Sequence, residues 1–227
     1  MIIIFDVDNT LIDTERMKQD IFFVTAMEQG LNFEQAKKVY QDVRNVEGVV
    51  EFSAKKFARV LGERIGKDAD ALNADIQKKL QGMAPQMCIA GAKEMVEQAL
   101  QKTSEVYVLT LGVHAWQEQK LVMSGLAELF PKEKRIYPAM DLKAEDAKVV
   151  ALKDFFGQKI EQEESVLIND KPDETKTLLS VYLPMRALVR RDVNDTRFKK
   201  EDFEHGHKEY GERFMYDESL FSLKKFL

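Results

Sequence analysis

Cysteine is almost missing from this chain: the single residue, Cys88, cannot close an internal disulfide. With only three histidines, no Cys/His spacing suits a structural zinc site. A reducing compartment such as the cytoplasm is therefore the expected setting. A basic excess is also absent. Thirty-four Lys and Arg stand against 39 Asp and Glu, for a formal net charge of -5, so nucleic acid and anionic membranes are not expected partners. Long apolar runs are lacking too. The first, Met1 to Phe5, is broken by acids after five residues, too short for a membrane span or a signal peptide. Repeats and low-complexity stretches do not occur, and only five prolines punctuate the chain.

What remains is a globular composition, 44% hydrophobic and 32% charged over 227 residues. That length suits one large domain, or a core carrying a smaller insertion. Residues 2–6 form a β-branched and aromatic run ending in acid, the pattern of a strand buried on both faces. From about residue 14 to residue 88 the periodicity becomes helical, as in Phe57, Val60, Leu61 and Ile65 or Leu72, Ile76 and Leu80, and about four helices are expected. Asn32 and Gln35 have the spacing of a capping box, while Gly30, Gly66 and Gly82 read as helix stops.

Beyond Pro85 strands and helices alternate. Strands are expected at Val106–Leu111, Arg135–Ala139, Ser165–Ile168 and Arg186–Val189. Helices are expected at Glu94–Leu100, Trp116–Phe130, Asp146–Phe156 and Glu174–Val181. This order predicts an α/β fold: a Rossmann-like parallel sheet with helices on both faces, interrupted by an all-helical insertion. Residues 192–216 are polar and weakly patterned and read as a long surface loop, followed by a short helix over Asp217–Leu227.

In such sheets reactive groups collect at the carboxyl ends of the strands. Three expected strands end in suitable residues: Asp6 and Asp8, Thr110, and Asn169 with Asp170. Asp6 and Asp8, two apart, face one side of an extended chain. A close carboxylate pair stays ionised only beside a cation, and magnesium favours a few carboxylate oxygens with water and phosphate. Asp6 would be the nucleophile, forming an aspartyl-phosphate, with Asp8 the general acid and then the base. Alternatively the two are turn-forming aspartates after a strand.

Phe5-Asp6-Val7-Asp8-Asn9-Thr10-Leu11-Ile12-Asp13 resembles the first motif, Asp-x-Asp-Gly-Thr-Leu, of the haloacid dehalogenase-like (HAD) hydrolase superfamily. The resemblance runs over nearly the whole chain. It implies a core of residues 1–13 and 89–227 and a helical cap of residues 14–88. Thr110, in Val108-Leu109-Thr110-Leu111-Gly112, matches the second motif and implies a hydroxyl donor to phosphoryl oxygens, although Leu111 stands where Asn or Gly is usual. The third motif, a lysine, has two candidates, Lys143 and the preferred Lys148. Asn169-Asp170-Lys171-Pro172-Asp173-Glu174 matches the fourth, with Asn169 in place of Gly. It implies Asp6, Asp8 and Asp170 around Mg2+, with Glu174 an outer or alternative ligand and Asp173 also a candidate. The implied activity is a phosphatase acting on a small phosphorylated metabolite. A phosphomutase, a non-catalytic relative, and a protein-docking role for residues 192–216 are the competing expectations.

Overall fold

The computed structural model describes residues 1–46, 49–50, 52–138 and 144–227. The strands are β1 (Ile2–Phe5), a short pair β2 (Asn45–Val46) and β3 (Val49–Val50), then β4 (Val106–Leu109), β5 (Arg135–Ile136), β6 (Ser165–Asn169), β7 (Met185–Arg190) and β8 (Phe214–Asp217). Among the described residues, six of them form one sheet in the order β5-β4-β1-β6-β7-β8, every pairing parallel. β1 lies in the interior, with β4 on one side and β6 on the other. The chain thus changes direction across the sheet beside β1, and the crevice at such a switch point is where ligands bind.

Alternation along β1 explains why an unbroken apolar run is needed there. Ile2 and Ile4 pack with Leu152, Leu178, Leu179 and Phe203 on one face. Ile3 and Phe5 pack with Met95, Val96, Ala99 and Leu121 on the other. All four β1 side chains are completely buried, each contributing about 2 kcal/mol of hydrophobic stabilisation.

Between β1 and β4 the chain builds the expected helical insertion. It comprises a helical stretch over residues 14–28, then Phe33–Arg44, Ala54–Ile65 and Ala69–Met83. The Asn32–Gln35 capping box forms reciprocally, each side-chain oxygen accepting the other residue's backbone N–H at 2.9 Å. Gly66 ends its helix with φ of 68°, whereas Gly82 lies inside its helix, one residue before the end. Lys18–Phe23 is a π-helical turn, a local widening often found at functional sites. The insertion leaves and re-enters the core through adjacent crossings. Asp13 N–H donates to Met87 O, and Ile89 N–H to Leu11 O, both at 2.9 Å.

The expected loop at 192–216 is a correction. It contains a helix, Lys200–Tyr210, and the edge strand β8. The helix has few apolar residues because its buried positions are Phe203 and Gly206, and Gly206 lets it approach Phe214 so closely that a Cβ would lie 2.7 Å from Cζ. The helix expected to run to Phe130 stops at Met123, where Ser124 and Gly125 (φ 75°) turn the chain. The terminal helix is shorter than expected, Leu220–Leu223 and then a 3-10 turn. Ala139 and Lys143 lie outside the described residues. Among those described, no helix is long and apolar enough to cross a membrane.

Candidate active site

Asp6 follows β1 directly, its N–H still bonded to Ile168 O at 2.9 Å. The chain then turns tightly, with Val7 O accepting from Leu11 and Ile12 N–H at 3.0 and 2.9 Å. Asn9 carries φ of 59°, a left-handed conformation that Gly or Asn adopts most readily. That accounts for Asn where the resembling motif has Gly. Its Oδ1 accepts from Thr14 Oγ1 at 2.7 Å and Glu15 N–H at 3.0 Å, tying the turn to the insertion's first helix.

The Asp6 carboxylate is buried. Lys148 Nζ donates to Oδ1 at 2.6 Å and Thr10 Oγ1 to Oδ2 at 3.2 Å. Lys148, on the helix Ala144–Phe156, is 1% exposed and donates equally to Glu174 Oε1 at 2.6 Å. Burial opposes its charge, yet the two carboxylates hold the ammonium above the ordinary lysine range. Asp6 moves upward: burial outweighs Lys148, a cation it shares with Glu174, whose own charge adds to the effect. Glu174, although buried, is pulled down to about 2 by Lys148, Lys171 and the Asn169 amide.

Asn169 organises the end of β6. Its Nδ2 donates to Glu174 Oε1 at 3.0 Å and Thr175 Oγ1 at 3.1 Å, while its Oδ1 accepts the Asp170 N–H at 3.0 Å. A glycine there would supply none of these. Asp170 is buried, and burial together with the Asp6 charge raises it to about 7. Its Oδ1 has no partner among the described residues, and its Oδ2 meets Arg197 Nη2 at 3.4 Å. Asp173 Oδ1 instead accepts the Glu174 N–H at 2.8 Å in the first helical turn.

Asp8 is held differently. Lys120 Nζ donates to Oδ1, and Gln117 Nε2 to Oδ2 at 3.2 Å. Burial works against ionisation, but the charge and hydrogen bonds of Lys120 more than offset it, so Asp8 falls below its ordinary value. Gln117 also donates to Leu111 O. Gly112 (φ 124°) leaves room for this amide, since a Cβ would lie 2.7 Å from Nε2. Thr110 Oγ1 is buried without a partner among the described residues.

A cavity of about 200 Å³ opens over Asp6 and Asp8. Lys148 and Lys171 line its floor, and Phe22, Tyr40 and Phe52 of the insertion its roof, together with Trp116. Phe22 and Trp116 pack edge to face with centroids 6.0 Å apart, as do Phe52 and Trp116 at 5.9 Å. Lys18, Arg44 and Arg197 also reach the cavity. Among the described residues, no three His, Cys, Asp or Glu side chains enclose an ion. The donor set is smaller, Asp6 and Asp170. Their mutual charge and the unpartnered Asp170 oxygen fit a hard cation that takes few protein oxygens, water and phosphate.

Sequence reasoning missed Lys120, Gln117, Lys171 and Arg197. For Lys120 a signal exists: it follows Trp116 by four residues and precedes Leu121, so the helix His114–Met123 turns a lysine toward its buried side. Arg197 lies in the segment read as a featureless loop. His114 pairs with Glu118 at 3.8 Å on the same helix, away from His205 and His207.

A parallel sheet with an acidic, lysine-bearing crevice at its switch point, roofed by a helical insertion, defines a class of hydrolases. The family model of haloacid dehalogenase-like hydrolases matches residues 3–177, and the chain belongs to that family. A haloacid dehalogenase-like hydrolase of Burkholderia xenovorans LB400 is similar in structure, with a TM-score of 0.71 at 14% identity, over 99% of this chain and 97% of the other. The HAD hydrolase YfnB of Bacillus subtilis, in a magnesium-bound form, gives 0.58 at 17% identity, over 99% and 97%. The L-2-haloacid dehalogenase of Xanthobacter autotrophicus, with chloropropionic acid covalently bound, gives 0.59 at 9% identity, over 100% and 98%. At these identities the likeness is one of fold. Comparison with curated proteins finds no match.

Proposed function

We propose that this hydrolase is a magnesium-dependent phosphatase of small phosphomonoesters. The observation that carries the reading is the pairing of a buried nucleophile, Asp6 on Lys148, with a second carboxylate, Asp8, that opens to the same cavity. A dehalogenase expels halide, which needs no proton, and has no use for an acid at Asp8.

In this reading Asp8, which Lys120 and Gln117 favour as the carboxylate in the free protein, takes up a proton as the phosphate binds. Asp6 attacks phosphorus, and the bond to the leaving alcohol breaks as Asp8 delivers that proton to its oxygen. Water then attacks the phosphorus of the aspartyl-phosphate and gives a proton to Asp8. Inorganic phosphate departs and Asp6 is regenerated. Lys148 remains beside Asp6 throughout, stabilising the nucleophile and the charge on the phosphoryl group. Thr110 Oγ1, unpartnered beside this crevice, donates to a phosphoryl oxygen. Asp6 and Asp170 would hold Mg2+, and the ion would supply further positive charge to the transferring group. The Asp8 carboxylate is engaged by Lys120 and Gln117, so its share in the ion's shell is less than the acidic run implies.

Residues 14–88 act as the cap, and residues 1–13 with 89–227 as the core. The aromatic roof excludes bulk water, and the cavity's size suits a compact leaving group. A small phosphorylated metabolite in the cytoplasm is the fitting substrate, with no nucleic acid or membrane as partner. Asn169, one of the departures behind the non-catalytic alternative, has a structural job that glycine cannot do.

The test is a panel of small phosphomonoesters and short 2-haloacids, each assayed with Mg2+ and with EDTA. Magnesium-dependent phosphate release supports the proposal. Halide release without phosphate release contradicts it, and a requirement for a sugar bisphosphate activator identifies a mutase instead.

A further inference from the structure

Lys120 is 2% exposed, on a helix whose neighbouring residues Trp116 and Leu121 are core side chains. Burying an ammonium costs several kcal/mol unless a partner repays it, and an apolar residue of equal length usually serves stability as well. The ion-pair partner of Lys120 among the described residues is Asp8, whose side chain remains 34% exposed. Gln117, three residues earlier and 3% exposed, takes the other Asp8 oxygen and is itself braced by Leu111 O. Both carboxylate oxygens are therefore gripped from a single helix, His114–Met123, that belongs to the core. Asp8 itself sits on the turn leading into the insertion: it bridges Ile12, which bridges Cys88 at the return crossing. Movement of the insertion would be transmitted to that turn.

We propose that Lys120, assisted by Gln117, is a positioning residue that fixes the Asp8 carboxylate to the core in the orientation used for proton delivery to the leaving oxygen. The proposal rests on the phosphatase reading, but not on any property of the metal. Lys120 and Gln117 line the same cavity as Asp8, and in this proposal Lys120 acts through its ion pair with Asp8 rather than by binding the phosphoryl group. Its loss therefore affects the step that needs Asp8 while sparing attack by Asp6. Substrates differ in that need. An alkyl alcohol leaves only with a proton, whereas 4-nitrophenolate leaves without one.

The experiment compares wild type, Lys120→Met, Asp8→Asn and the double variant on propyl phosphate and 4-nitrophenyl phosphate with Mg2+, reading kcat/KM, which reports events through leaving-group departure. For Lys120→Met the expected fall is about 100-fold on propyl phosphate, the lower range for a general acid, and under about threefold on 4-nitrophenyl phosphate. On propyl phosphate the double variant is expected to match Asp8→Asn, because the two residues act as one unit. Equal losses on both substrates, or additive losses in the double variant, overturn the proposal. A crystal structure of Lys120→Met supplies a readout independent of turnover. Asp8 should leave its present orientation while the Lys148–Asp6 pair persists. If the wild type releases no phosphate, the phosphatase reading fails and the proposal falls with it; where phosphate is released, an unmoved Asp8 in the Lys120→Met structure overturns the proposal alone.

Discussion

Lys148 serves two carboxylates at once, and this sharing sets the behaviour of the residues around it. Replacing it with Met leaves Asp6 and Glu174 buried without their common cation. Removing one partner of such a group costs about 3–5 kcal/mol, so urea unfolding of Lys148→Met should show a loss of that order, with activity falling below detection. Asp170 gives a pH prediction. In the ion-free protein its carboxyl holds a proton up to about 7, and a metal must displace it. Apparent Mg2+ affinity, measured by titration calorimetry, should therefore fall about tenfold per unit below pH 7 and level off above it. A pH-independent affinity between 5 and 7 would contradict this. Chemistry-bearing strand ends were legible at this scale because acids after apolar runs stand out. Lys120 was less so, because its inward placement shows only through its spacing from Trp116 and Leu121, and a lysine on a helix is far more often solvated than buried.

Helices and strands were legible where their apolar period is long. β1, β4, β6 and β7 and the four helical stretches of the insertion follow from that period, and the Asn32–Gln35 cap from its spacing. The helix Lys200–Tyr210 escaped because its buried face is mainly Phe203 and Gly206, and a glycine in contact looks like a glycine in a loop. Its packing is testable. Gly206→Ala pushes a methyl group into the Phe214 ring and should cost about 1–3 kcal/mol, read as a lowered Tm with catalysis retained. Gly112→Ala has a different signature. It displaces Gln117 and strains a left-handed backbone position, so activity should fall more than stability does.

At the scale of the whole molecule, the insertion and the core meet at Trp116, the sole tryptophan, packed on Phe22 and Phe52 of the helical roof. Its emission is a built-in reporter of that contact. Phe22→Ala should shift the emission to longer wavelength as water reaches the indole, and raise KM more than it lowers kcat, because in the proposed reading the roof contacts the leaving group and not the phosphoryl centre. The parallel order and the helical insertion followed from strand–helix alternation. How closely the roof seats on the crevice did not, because it depends on rings brought together from residues 22, 40, 52 and 116, far apart in the chain.

All of this converges on Asp6. The most direct test is magnesium-dependent phosphate release by Asp6→Asn beside wild type, on whichever phosphomonoester the panel identifies, with Tm confirming that both are folded. The expected result is a rate at least about 1,000-fold lower in the variant, as for loss of a covalent nucleophile. Phosphate release by a folded Asp6→Asn at a rate near that of wild type would contradict phosphoryl transfer to Asp6.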